Sequence, residues 1–240
     1  MKNIFRVLLC ITVVAGALAF YQYGRGIWVP VYSKFAGRST VAEVLARIGE
    51  KTEHKLQQRF ATAGIAYPPT SITLLATKQE AELELWASDG NAFHYIHTYS
   101  ISKTSGTTGP KLREGDRQVP EGIYRVIGLN PNSAYHLSMK LNYPNAFDLQ
   151  HAAAENRTEP GTNIFIHGKA QSVGCLAMGD DTIEELFVLA AVVGIENIEV
   201  VIAPKDPREH KLIRNADTDA PWVSDLYQQI DSAFALYQRS

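Results

Sequence analysis

Apolar residues recur at two different spacings along this chain, and the change from one to the other marks out its elements. Val41, Val44, Leu45, Ile48, Leu56, Phe60 and Ala63 fall mainly three and four positions apart, the period of one face of an amphipathic helix. Thr40 and Glu43 stand ahead of that run with the spacing of a capping box, and Gly64 can end it. From Ser71 the period shortens to two. Residues 72–76 and 81–87 read as strands, and Asp89-Gly90 is a turn signal before a third at 92–101. Residues 102–109 form a loop rich in Gly, Ser and Thr, and within it 105–109 read as a hairpin turn. Further strands are expected at 123–128 and 135–141, with the short apolar run 163–167 as a central strand. Asp181 and Glu184 have the spacing to cap a helix over 182–193, closed by Gly194. Residues 198–203 read as a last strand, and 220–237 as a terminal helix with Pro221 at its start. Residues 29–37 look like a linker and 205–218 like a polar loop. No repeat is visible. The order predicts a mainly β protein with flanking helices (α+β), largely antiparallel, rather than a chain of βαβ units.

The N-terminus departs from this pattern. After Lys2 and Arg6, residues 7–20 (VLLCITVVAGALAF) carry no charge. The run is short for a bilayer span, which needs ~20 residues. It suits the apolar core of an export signal, and Ala17-Leu18-Ala19 offers a small-x-small cleavage site. The rival reading is an uncleaved anchor extended through Tyr21 and Tyr23, whose amphipathic rings suit a membrane interface. Both readings export the bulk of the chain to the periplasm, with membrane contact only through this segment.

Composition narrows the function classes. Of 240 residues, 45% are hydrophobic and 20% charged, close to globular averages, which excludes a disordered or collagen-like chain. A net charge of −2 supplies no basic surplus for nucleic acid. Two cysteines, Cys10 and Cys175, allow neither a disulfide scaffold nor a Cys-rich zinc fold. Cys10 lies inside the apolar run; once that is removed, Cys175 is the only thiol. An unpaired thiol is at risk in an oxidising compartment. Cys175 is therefore either a buried, inert small hydrophobe or a working nucleophile.

Its neighbours bear on the choice. The segment reads Ile166-His167-Gly168-Lys169-Ala170-Gln171-Ser172-Val173-Gly174-Cys175. A thiol attacks as its thiolate and needs a base or a positive charge nearby. His167, ending an apolar strand, meets that need if the intervening loop folds back. Gly168 and Gly174 allow tight turns. Gly174 also lets the backbone beside Cys175 approach a substrate, where N–H groups can hold a developing oxyanion. A His and a Cys eight positions apart are often unrelated, so the residues alone leave both readings open.

His167-Gly168 and Ser172-Val173-Gly174-Cys175 resemble the HG…SxGC active-site motif of the L,D-transpeptidase (YkuD-type) catalytic domain. Gly109-Pro110-Lys111-Leu112-Arg113-Glu114-Gly115-Asp116, followed by Val119-Pro120-Glu121-Gly122, is similar to a second family segment just before a domain strand. Tyr143-Pro144-Asn145 fits a subgroup often called YafK-like. The resemblance implies a sandwich-like catalytic domain over 71–204. Residues 1–20 would precede it as signal or anchor, 21–70 as linker and amphipathic helix, and 205–240 would follow as a loop and helix. It implies a cysteine acyltransferase acting on peptidoglycan stem peptides, with no cofactor and no metal. Cys175 would be the nucleophile and His167 the general base and later acid. Gly174 and the Cys175 backbone would form the oxyanion site, and Ser172 would orient the loop. Gly168 and Arg113 would lie at the substrate. For Arg113 the alternatives are a bidentate grip on a stem carboxylate and a place in a solvated loop where Lys111, Arg113 and Arg117 alternate with Glu114, Asp116 and Glu121.

Two departures bear on the substrate. Val173 stands where many members have His, read here as a packing residue. The gap between His167 and Cys175 lacks the longer insert of many members, as the YafK-like subgroup does. Some relatives form cross-links, some join a lipoprotein to the wall and some hydrolyse such bonds. The acceptor therefore stays open between an amine, of another stem or of a wall-linked lipoprotein, and water. A wall-binding module without turnover is a third reading. The other histidines read as surface or hydrogen-bonded residues. His94 and His97, three apart on a strand, are expected on opposite faces, where they cannot share a metal.

Overall fold

Strand β1 (Ser71–Thr77) pairs antiparallel with β2 (Glu82–Ser88), and β2 with β3 (Phe93–Ser100). Next in the chain are β4 (Gly122–Ser133), β5 (His136–Leu141), β6 (Phe165–His167), β7 (Leu176–Ala177) and β8 (Ile198–Ala203). In this computed structural model, which describes residues 2–239, the eight strands form one mixed sheet in the order β3-β2-β1-β8-β4-β5-β6-β7. The pairs β1/β8 and β6/β7 are parallel. Strand β4 joins the two halves. Its first four residues pair with β8 and its remainder pairs with β5, with a register shift between Val126 and Gly128.

The inner strands are buried on both sides, so they read as nearly unbroken apolar runs. Leu74, Ala76, Val200 and Ile202 enter the main core with helices α3 (Val41–Thr62) and α5 (Asp180–Val193). Leu75, Val201 and Ala203 enter a second cluster, covered by α6 (Val223–Phe234). Helix α3 starts as its sequence predicts. The Thr40 hydroxyl accepts the Glu43 N–H at 3.2 Å, and the Thr40 N–H donates to Glu43 Oε2 at 2.7 Å. It then buries Val44, Leu56 and Phe60. Lys55 and Arg59 on its flank reach the buried Glu185 of α5 at 2.7 and 3.1 Å.

Several expectations need correction. Helix α5 begins at Asp180, after Gly179 with φ +79°, and no side chain caps it. The Asp180 carboxylate is turned to the Lys169 N–H instead, at 2.9 Å. The expected linker at 29–37 is mostly helix α2 (Arg25–Ala36), where Trp28 and Tyr32 pack four residues apart, edge to face. Helix α4 (Ala146–Ala154) was not anticipated, although Asn145 and Asp148 form its capping box. It is short and Ala-rich, and carries too little apolar periodicity to announce itself. The terminal helix is shorter than 220–237 at both ends. In β3 a bulge opposite Leu85/Trp86 sets His97 against Leu85 and His94 against Ala87. Both histidines therefore lie on one face, contrary to the alternation argument. They have separate partners: His94 Nε2 stands 3.7 Å from Asp89 Oδ2, and His97 packs edge-on to Tyr99.

At the N-terminus α1 (Lys2–Tyr23) holds the apolar run Arg6–Tyr23, long and apolar enough to cross a membrane and unburied by the rest of the chain. Near its end the Gln22 carbonyl accepts from Gln171 at 3.3 Å, and just after it Arg25 Nε donates to Ala134 O at 2.7 Å.

Candidate active site

The loop after His167 does fold back. Strands β6 and β7 run parallel in a register that pairs Ile166 with Leu176 and His167 with Ala177. Ile166 and Leu176 point into the core and are fully buried. His167 faces the other way by the alternation of a strand. Cys175, immediately before Leu176, emerges on the His167 side, and its Sγ lies 3.9 Å from the Asn163 carbonyl. Seven residues thus bring a His and a Cys to one side of two adjacent strands.

His167 is held on two sides. Its Nδ1 lies 2.6 Å from the Gly168 carbonyl. A carbonyl only accepts, so Nδ1 carries the proton and Nε2 keeps its lone pair. The ring packs on Tyr135, with centroids 4.7 Å apart. Burial lowers the imidazole pKa, with the bond to Gly168 opposing. Burial also pushes the Cys175 thiol up, while the Phe165 backbone and the Lys111 charge pull it down. Both net shifts favour a neutral thiol and a neutral imidazole. Neither shift points to a preformed thiolate–imidazolium pair.

Gly168 is a glycine for closeness, not for a turn. A Cβ there would sit 2.7 Å from Tyr135 O, 2.8 Å from Asp180 Oδ1 and 3.0 Å from Ile183. The left-handed turn falls on Lys169 instead, at φ +61°. Gly174 does sit in the left-handed region, at φ +90°. Its N–H donates to Ser105 Oγ at 2.6 Å. The Cys175 N–H donates to Ser172 Oγ at 3.2 Å, and Ser172 Oγ in turn donates to the Cys175 carbonyl at 2.6 Å. Ser172 thus ties the loop to itself around Cys175. In this chain, both N–H groups expected at the oxyanion position are held by serine hydroxyls. Val173 is 69% exposed and packs against nothing that would explain it as a core residue.

Residues 105–109 are not a hairpin turn but part of a segment laid along the sheet edge. Lys103 bridges Ala177 through two backbone hydrogen bonds, 3.2 and 3.1 Å, along the free edge of β7. Ser105 reaches Gly174, and the Gln118 carbonyl lies 3.3 Å from where a Cβ of Gly174 would be. The segment is clamped from below by buried Lys78, whose Nζ donates to Gly109 O, Val119 O and Glu121 Oε1 at 3.0, 3.0 and 2.9 Å. Glu121 Oε1 also accepts the Gly109 N–H at 2.6 Å. Sequence reasoning missed Lys78, Ser105 and Gln118. Glu121 alone carried a signal, through the Pro120-Glu121-Gly122 segment.

Beside this loop opens a groove of about 650 Å³ whose walls include Leu112, Arg113, Gln118, Arg157, Thr158 and Glu159. Gln118 links it to the Cys175 loop. The Arg113 N–H is fixed to Asp116 Oδ2 at 3.0 Å, while its guanidinium makes no hydrogen bond or ion pair among the described residues. Arg157 is engaged with Leu112 O and Glu155, at 2.8 and 2.6 Å. Lys111 is held by Asp116 Oδ1 and Arg113 O, at 2.5 and 2.9 Å.

Comparison with known proteins places the chain in a family. Residues 71–202 match the family model YkuD, described as the L,D-transpeptidase catalytic domain. The chain is 30% identical over 168 residues to "Putative L,D-transpeptidase YafK" of Escherichia coli K12, and equally to that of strain O157:H7. The alignment covers 68% of this chain and 65% of theirs, so the chain spans just under two thirds of the length of these relatives. A crystal structure of the helical cell shape determining protein Pgp2 from Campylobacter jejuni superposes with a TM-score of 0.45 at 18% identity, covering 69% of each chain.

Proposed function

The chain belongs to the YkuD family of L,D-transpeptidase catalytic domains, and from that premise we propose that it is a cysteine acyltransferase acting on peptidoglycan stem peptides outside the cytoplasm. The observation that carries this reading is the β6–β7 register, which sets His167, with Nδ1 committed to Gly168 O, on the same side as Cys175. A packing histidine needs no such fixed tautomer, and a pure wall-binding module needs neither group.

In this reading Cys175 Sγ attacks the acyl carbon of the third residue of a tetrapeptide stem. His167 Nε2 takes the thiol proton and gives it to the departing amine of the terminal D-Ala, leaving a thioester on Cys175. An acceptor amine, from a second stem or from a wall-linked lipoprotein, then attacks the thioester. His167 takes its proton and returns it to the sulfur as the new amide forms. Arg113, with its guanidinium free over the groove, suits a stem carboxylate as a bidentate partner. Export fits α1, either as a signal or as a retained anchor.

Hydrolysis is the second reading, and the short loop favours it. Seven residues between His167 and Cys175, with Val173 exposed, provide little of their own chain to keep water from a thioester. Segment 102–109 supplies some of that cover. The test incubates purified wall fragments with the enzyme at rising concentrations of a diaminopimelate-type or lysine amine, read by mass spectrometry. Amine-linked product growing at the expense of hydrolysed stems supports the transferase. Trimmed stems alone at every amine level leave the hydrolase. No change in any wall fragment, and no thioester on Cys175, removes both.

A further inference from the structure

The Gly174 N–H is the donor that acyl-transfer chemistry would aim at a developing oxyanion, and here it ends on the side chain of Ser105, 69 residues away in sequence, at 2.6 Å. The hydroxyls around it form a directed chain. Ser172 commits its proton to the Cys175 carbonyl at 2.6 Å, so across the 3.3 Å between the two serines Ser105 is the donor and Ser172 the acceptor. The lone pairs of Ser105 are thereby left to face the Gly174 N–H. An oxygen acceptor thus sits on a backbone N–H next to the nucleophile, at a distance close to that expected for a bound acyl oxygen. Gly174 is held at φ +90°; glycine has little intrinsic preference between positive and negative φ, so the bond to Ser105 is what orients its N–H. The segment bearing Ser105 is itself fixed on both sides, by Lys103 on Ala177 and by Lys78 and Glu121 on Gly109.

We propose that Ser105 is a positioning residue: its hydroxyl holds the Gly174 N–H in the resting enzyme as a stand-in for the substrate's carbonyl oxygen, and yields it when the acyl group arrives. Ser105 keeps its bond to Ser172 throughout, so only one hydrogen bond is exchanged. This rests on the acyl-transfer reading of Cys175. It predicts a dependence that a merely structural serine lacks, because alkylation of a thiol builds no oxyanion whereas acylation does.

The experiment uses the full chain and two probes, iodoacetamide and an activated ester of a stem tripeptide, which acylates through its third residue, each followed by the mass added to Cys175. Ser105→Ala is expected to slow acylation about tenfold, part of the 10²–10³ that one oxyanion donor contributes, while alkylation stays at the wild-type rate. Ser105→Thr, which keeps the hydroxyl, is expected to restore most of the acylation rate. Equal loss in both reactions would make Ser105 structural and overturn the proposal. Unchanged acylation in Ser105→Ala would also overturn it. A wild-type enzyme that is alkylated but never acylated would remove the acyl-transfer reading itself, and the proposal with it.

Discussion

Gly168→Ala tests whether His167 is held by packing. The added methyl would stand 2.7 Å from the Tyr135 carbonyl, 2.8 Å from Asp180 Oδ1 and 3.0 Å from Ile183 Cγ2. The carboxylate end of Asp180 can give way, at the expense of its bond to the Lys169 N–H. The Tyr135 carbonyl cannot, because it is backbone in a tight hairpin whose next residue, His136, already sits at φ +77°. Forcing a methyl into such a site typically costs about 1–3 kcal/mol, or roughly 2–12 °C in melting temperature for a domain of this size. Catalysis should suffer more than stability. The strand and the hairpin would have to part by several tenths of an ångström, and both hold the imidazole: Gly168 O through Nδ1, and Tyr135 through its ring. A 1 Å misplacement of a catalytic group costs about 10²-fold, so acyl-enzyme formation should fall between about tenfold and a hundredfold. Circular dichroism melts and the rate of mass gain at Cys175 measure the two effects. Adding Asp180→Ala should relieve only part of the loss, since the backbone clash remains. A Gly168→Ala protein with wild-type melting and wild-type acylation would refute the argument.

Cys175→Ala should abolish turnover and leave the melting temperature nearly unchanged, since the thiol's hydrogen bond to Asn163 O is a long 3.9 Å; activity in that variant would eliminate the nucleophile. Alkylation of the wild type by iodoacetamide should climb into the alkaline range, because burial holds the thiol pKa above its usual value and that of His167 below; a flat rate from about pH 5 to 8 would reveal a preformed ion pair instead. His167→Ala should slow acylation at least ~10²-fold, while alkylation at high pH is retained; loss of both would point to a misfolded loop. Asp148, half-buried in the first turn of α4, has its pKa raised to about 6 by burial. A folded-state pKa above the unfolded one gives stability that is present below about pH 4 and lost as pH rises through about 6, up to about 3 kcal/mol. Asp148→Asn should therefore gain on the wild type in urea unfolding as pH rises from 4 to 7, and parallel curves would contradict the assignment.

What could be read from the sequence divides by the range of the cause. The α3 cap needed only Thr40 and Glu43, three positions apart, and was read correctly. The inner strands were also visible, because burial on both faces leaves Val, Ile and Leu in unbroken runs such as residues 198–203. The β3 bulge was invisible: nothing in Phe93–Ser100 says that one residue loops out, yet that residue reverses the relation of His94 to His97. The family was legible because its motif is local, His167 to Cys175 with Pro120-Glu121-Gly122 beside it. Gly168 was recognised as a needed glycine for a mistaken reason. Sequence suggested a turn, whereas the constraint comes from Tyr135 and Asp180, set against it only by the β5–β6 pairing and the start of α5.

The 102–121 segment explains how a loop as short as the one between His167 and Cys175 can hold its shape. A seven-residue connection with two glycines and a left-handed Lys169 has little local preference for one conformation, and its own hydrogen bonds reach only from Ser172 to Cys175. Asp180 fixes the Lys169 end of it, and at the Cys175 end the constraint comes from the 102–121 segment: Lys103 pairs with the far edge of β7, Ser105 takes the Gly174 N–H, and Gln118 lies against the same glycine. Those three residues stay in place because Lys78, at the end of β1, pulls Gly109, Val119 and Glu121 onto one buried ammonium. Replacing a single member of such a pair leaves an unpaired buried charge, which typically costs about 3–5 kcal/mol, whereas a matched apolar pair need not. Lys78→Met should therefore destabilise the fold and disorder the Cys175 loop, and Lys78→Met with Glu121→Leu should recover stability but not the acylation rate, since the three hydrogen bonds of the ammonium are not replaced. Recovery of both in the double variant would show that the loop holds its geometry without the clamp.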